Sequence, residues 1–109
     1  MPLVVVKRSG QRQPFDRGKV VAGVRAAAKN RPIATAAMEA LAAEVEEQIR
    51  LEGPEVSTQQ VGRAVLDRLR GLDDVAYLRF ASVYKGFADV EDFEREVGLL
   101  TKSTQPKRH

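Results

Sequence analysis

VVVKRSGQRQPFDRGKVV, residues 4–21, carries the plan of the fold. The β-branched run Val4-Val5-Val6 predicts a strand that reaches Lys7. Gly10 can take the positive φ of a tight reversal, so Gln11 to Phe15 is expected to return as a second, more polar strand. Asp16 follows as an N-cap, with Phe15 outside and Val20 one turn inside, the spacing of a hydrophobic staple. A hairpin therefore feeds straight into a helix. The same stretch sets Lys7, Arg8, Arg12, Arg17 and Lys19 against one acid, Asp16. Nucleic acid, a phosphorylated small molecule and simple solubility would each account for that excess.

Working outward, Val20, Val21, Val24, Ala27 and Ala28 make one face of the first helix, which should end near Asn30, before Pro32. Thr35 opens a second helix, with Met38, Leu41, Ala42, Val45 and Ile49 at helical period and Gly53-Pro54 as its stop. Ser57 and Gln60 have the spacing of a capping box ahead of Val61, Ala64, Val65 and Leu69. Gly71 ends that third helix, and Asp73 or Asp74 starts a fourth. Asp89 caps a fifth, with Val90, Phe93, Val97 and Leu100 on one side. The expected fold class is α+β, mostly α, an N-terminal β-hairpin covering a small bundle of four to five helices. Residues 1–100 form the folded domain and 101–109, TKSTQPKRH without the apolar period, a disordered basic tail. No internal repeat is visible.

At 109 residues, with 43% hydrophobic and 30% charged, the chain has enough material for one core without staples. Cysteine is absent and the single histidine is the terminal His109, which excludes disulfides, thiolate metal sites and His-based triads. No apolar run approaches the length of a membrane span, and no signal-peptide pattern is present, so the expectation is a cytoplasmic protein with no membrane partner. Charge is unevenly distributed. Residues 1–31 hold eight Lys or Arg against Asp16 alone, a net of +7; residues 32–100 hold seven against fourteen acids, a net of −7. A confined cationic patch on an acidic body suits a small polyanion, and it also suits a self-complementary protein interface.

Strand alternation puts Val4, Val6 and Arg8 on one face and Leu3, Val5 and Lys7 on the other. Lys19 falls in the first helical turn, where a cation costs an isolated helix about 0.3–1 kcal/mol and a bound anion would reverse the sign. Lys7, Arg8 and Lys19 read either as solvent-facing charges or as a phosphate clamp with valine walls for a base. No Walker loop and no G-x-G-x-x-G occurs. Tyr77, Phe80, Ala81, Tyr84 and Phe87 form an aromatic stripe at helical spacing. It is read first as core, with a self-association seam or a stacked base left open. Glu46-Glu47, Asp73-Asp74 and Glu91-Asp92 point apart on helices and read as caps and solvated faces. Nothing here suggests covalent chemistry or an enzyme.

VVKRSGQRQPFDRGKV resembles the opening of an ATP-cone, a regulatory nucleotide-binding module at the front of many ribonucleotide reductases. LDDVAYLRFASVYKGFADVEDFEREV is similar to the end of the NrdR family, bacterial transcriptional repressors of ribonucleotide reductase genes. Together the two segments and the distance between them cover about residues 3–98. The resemblance implies ATP or dATP as ligand, with Mg2+ as an open question. It implies Val5, Lys7 and Arg8 as strand contacts, Lys19 as a phosphate ligand, and Val20 in the adenine pocket. Phe15 matches the family's Phe, and Gln13 stands where the family usually has Glu, removing one anion from beside the clamp. Tyr77 and Tyr84 fall in a segment associated with both nucleotide and oligomer contacts. In that family nucleotide binding selects among homo-oligomers, and a zinc ribbon of two CxxC pairs reads the DNA operator. The present sequence has no cysteine, so zinc and operator contact are expected only from a ribbon outside these residues.

Overall fold

The structure is a computed structural model that describes residues 2–104. Strand β1 (Val4–Val6) pairs antiparallel with β2 (Arg12–Pro14), and the Lys7–Gln11 reversal closes on Gly10 at φ 91°. A positive φ there suits glycine, which has no Cβ to clash. A third strand, β3 (Glu55–Ser57), pairs parallel with β1, so the sheet order is β2-β1-β3. The expected hairpin is thus two strands of a three-stranded sheet. Val5 stands in register between Gln13 and Val56. Alternation turns that row inward, where Val5 and Val56 are buried. On the outer side, Arg12 opposite Val6 and Glu55 opposite Val4 are joined by an ion pair that crosses β1.

Among the described residues five helices follow: α1 (Arg17–Ala27), α2 (Thr35–Leu51), α3 (Thr58–Arg70), α4 (Asp74–Tyr84) and α5 (Val90–Thr104). The caps follow the sequence. Asp16 accepts from the Gly18 N–H, and Asp73 accepts from the Ala76 N–H. Ser57 and Gln60 form the reciprocal capping box. Asp73 also takes the Arg31 Nε–H on both oxygens at 3.0 Å, which ties the α1–α2 connection to the start of α4 and holds that carboxyl below its usual range. The apolar stripe of α2 is buried throughout, from Met38 to Ile49. α1 packs on α2 and α4, α3 on α2 and α4, and α5 chiefly on α4.

α5 departs from the reading of its sequence. Val90, Phe93 and Val97 are exposed, while Leu100 and the acid Glu96, only 4% exposed, turn inward. Burial pushes the Glu96 carboxyl up, but hydrogen bonds from Tyr77 (2.6 Å) and Lys85 (3.0 and 3.2 Å) outweigh it and hold the group below its usual value. Arg70 completes the cluster, its guanidinium 5.4 Å over the Tyr77 ring and its Nη2 on the Tyr77 hydroxyl. α5 also continues to Thr104, past the boundary expected at residue 100; residues 105–109 of the expected tail lie outside the described residues.

Candidate functional site

Between the inner face of the sheet and helices α1, α3 and α4 lies a cleft of about 500 Å³, large enough for a small organic ligand. Val5, Gln13 and Phe15 line it from the sheet side, and Lys19, Val20, Gly23 and Ala26 from α1. Thr58, Val61 and Gly62 close it from α3, and Arg79, Phe80, Val83 and Tyr84 from α4. Its walls are mostly apolar and its charged groups few: Lys19, Asp16 and Arg79. A polar recess of about 490 Å³ adjoins it, sharing Gln13, Phe15, Asp16 and Lys19 and adding Arg17 and Glu46. Lys19 therefore stands at the junction of an apolar chamber and a polar one.

The wall formed by α4 is held from two sides. Tyr84 donates its hydroxyl to the Gln59 carbonyl at 2.7 Å, and its ring lies on α3 at Gly62. A Cβ on Gly62 would come within 2.1 Å of that ring, so only glycine leaves room for it. Phe80 stacks on Tyr84 with centroids 6.3 Å apart and faces Gly23 of α1. Arg79 reaches across to the end of α1, where its Nη1 donates to the carbonyls of Lys29 (2.6 Å) and Ala27 (3.2 Å). The aromatic stripe is thus divided: Tyr77 and Ala81 are core, whereas Phe80 and Tyr84 are cleft wall.

Among the residues singled out in the sequence, Val5, Gln13, Phe15, Lys19, Val20 and Tyr84 come together around the cleft. Lys7 and Arg8 do not line it; both are exposed where β1 leaves the sheet for the turn. Tyr77 is on the opposite side of α4, against Glu96. Gly23, Thr58, Gly62, Arg79 and Val83 escaped the sequence reading. Gly23 and Gly62 carried a legible signal, since a glycine inside a helix costs about 1 kcal/mol relative to alanine and implies a close neighbour. Gln13 and Thr58 offer polar side chains with no hydrogen-bond partner among the described residues. No group of three His, Cys, Asp or Glu side chains suited to a metal occurs among the described residues. A zinc site does not fit the donors present.

The family model for the ATP cone domain matches residues 3–90. The transcriptional repressor NrdR of Acidothermus cellulolyticus is 57% identical over 98 residues, covering 89% of this chain and 58% of that protein. Its counterpart in Mycobacteroides abscessus is 54% identical over 99 residues, covering 90% and 64%. That of Corynebacterium efficiens is 47% identical over 107 residues, covering 97% and 69%. The chain spans less than two thirds of the length of the first two.

Proposed function

The chain belongs to the ATP-cone family, in its NrdR branch, and from that premise we propose that its cleft is a regulatory site for ATP or dATP. The observation that carries the reading is the position of Lys19, where an apolar chamber meets a polar recess. A nucleotide has the same division. Its base suits the aliphatic and aromatic chamber of Val5, Val20, Val61 and Phe80, and its phosphates suit the mouth at Lys19 near the start of α1. Lys7 continues the alternation that turns Val5 inward and is proposed to reach over the mouth when phosphates are present; Arg8, which lies in the turn beyond the strand, is proposed to join it from there. ATP and dATP differ by one hydroxyl, whose recognition needs an otherwise unpaired polar group. Gln13 and Thr58 supply two such groups.

Occupancy of the cleft is proposed to select among homo-oligomers of a repressor of ribonucleotide reductase genes, with DNA contacted by a zinc ribbon outside these residues. Such selection requires only that nucleotide bind two assemblies with different affinity. The test is calorimetric titration with ATP and dATP. Lys19→Ala should weaken ATP by about tenfold, the effect of losing one charge-assisted contact, and leave the fold intact by circular dichroism. Unchanged ATP affinity in that variant would remove the role given to Lys19.

A second reading has its own observation, the exposed apolar stripe of Val90, Phe93 and Val97 on α5. It makes the domain an oligomerisation module indifferent to nucleotide, and it requires the same sedimentation profile with and without ATP.

A further inference from the structure

We infer that Arg79 is a positioning residue for the cleft: it fixes the α4 wall at the width a base needs, without touching the ligand's phosphates. The inference rests on the nucleotide reading of the cleft and assigns a residue to it that neither the hairpin motif nor charge counting singled out.

Arg79 belongs to the same helix as Phe80, Val83 and Tyr84, the residues that face the sheet and α1 across the cleft. Its guanidinium is already committed. Nη1 donates to the Ala27 and Lys29 carbonyls at the end of α1, where a helix leaves acceptors without intrahelical partners. No acid pairs with Arg79 among the described residues. Its charge is therefore directed at the negative end of the α1 dipole. Lys19 lies near the opposite end of the same helix. From Lys19 to Ala27 the axis rises about 12 Å at 1.5 Å per residue. The two cations that line the cleft thus stand at its two ends and serve different purposes. Lys19 has no side-chain hydrogen-bond or ion-pair partner among the described residues and is available to an anion, whereas Arg79 is spent on backbone.

The α4 wall is pinned at its other end by Tyr84 on Gln59 and Gly62 of α3. With Arg79 tied to α1, helix α4 spans the two helices that flank the cleft. Removing the guanidinium frees one end of that span. The α1–α4 spacing at Phe80 then relaxes, and the slot for the ring system widens. Such a change acts on the base and is blind to the number of phosphates.

The test uses adenosine and ATP as paired ligands on the whole chain. Arg79→Met, which keeps the stem and removes the charge, should weaken both by the same factor, about tenfold for lost charge-assisted hydrogen bonds. Arg79→Lys, which retains a donor and the charge, should recover most of the loss. Lys19→Ala is the contrasting variant and should weaken ATP while leaving adenosine within about twofold, as expected of a phosphate contact. A loss in Arg79→Met that is much larger for ATP than for adenosine would overturn the inference and make Arg79 a phosphate ligand. Unchanged affinity for both would overturn it as well. If Arg79→Met fails to fold, Arg79→Gln, which also removes the charge and the reach of the guanidinium, carries the same comparison with the same expected and overturning results. Failure of the unmutated chain to bind either ligand would instead defeat the nucleotide reading itself.

Discussion

Replacing Gly62 by alanine should lower the affinity for adenine nucleotide by about tenfold or more, because the Tyr84 ring it displaces is part of the cleft wall. The added Cβ would lie 2.1 and 2.4 Å from two carbons of the Tyr84 ring, well inside contact distance. Either the ring stays and the packing strains, at a cost of about 1–3 kcal/mol, or it leaves. Leaving breaks the Tyr84 hydrogen bond to the Gln59 carbonyl, worth about 1 kcal/mol, and its stacking on Phe80. Against this, alanine gains about 1 kcal/mol of helix propensity over glycine. The net is a modest destabilisation with a large loss of binding. The mechanism has a signature in sign. When Tyr84 is first replaced by alanine, Gly62→Ala should become stabilising by about 1 kcal/mol, since only the propensity term remains. Urea melts of the four proteins measure this directly. A Gly62→Ala change that is equally destabilising with and without the Tyr84 ring would refute the seat.

The largest effect on stability is expected at Lys85. Glu96 is almost wholly buried, and Lys85 is the cation that meets both its oxygens. Lys85→Met leaves a buried carboxylate with Tyr77 as its remaining close donor, a loss of about 3 kcal/mol at neutral pH. The lysine is itself 39% exposed, which places the cost at the lower end of the range for breaking buried pairs. Glu96→Gln removes the charge with the desolvation and should be milder.

The pH dependence separates the two variants. In the native chain the Glu96 carboxyl sits below its ordinary value of 4.5. Its stabilisation is complete above that value and is lost as pH falls through the lower folded value. In Lys85→Met the hydrogen bond and charge of the lysine no longer oppose burial, so the carboxyl rises from its native value. Ionisation of Glu96 then contributes less stability in that variant than in the native chain, and the difference opens as pH rises through the native folded value. The deficit of Lys85→Met relative to the native chain should narrow on going from pH 7 to pH 4, whereas Glu96→Gln should lack this carboxyl's contribution at any pH. A Lys85→Met deficit that is constant across that range would contradict the burial of an ionised Glu96.

These two sites also mark where sequence reading succeeds and where it stops. The helices were legible because their signals are local. Asp16 precedes its helix by one residue, Ser57 and Gln60 satisfy each other within a turn, and Met38 to Ile49 repeat at the helical period. Strand β3 was not legible. Three residues, Glu55-Val56-Ser57, carry little period of their own, and their partner β1 lies some fifty residues away in the chain. The α5 stripe was legible as a pattern, but its orientation was not. Glu96 turns inward because Lys85 and Tyr77 wait on α4, a fact that α5's own sequence does not hold. The cleft divides in the same way. Val5, Phe15, Lys19 and Val20 belong to one continuous motif, so they are legible together. Gly62 and Arg79 act on residues of other helices, so their roles appear only once α1, α3 and α4 are packed. Lys7 and Arg8 shared the motif and the charge, yet where a hairpin's turn carries its side chains relative to a cleft is set by the sheet's seat on the helices.

A nucleotide occupying the chamber between the sheet and α1 is observed most directly by amide chemical shifts followed during an ATP titration. The predicted result is saturable shifts at Val5, Lys19, Gly23, Thr58 and Val83, with smaller ones at Lys7 and Arg8 and little change along α2. Shifts confined to the exposed stripe of α5, or none at saturating ATP in a folded sample, would contradict it.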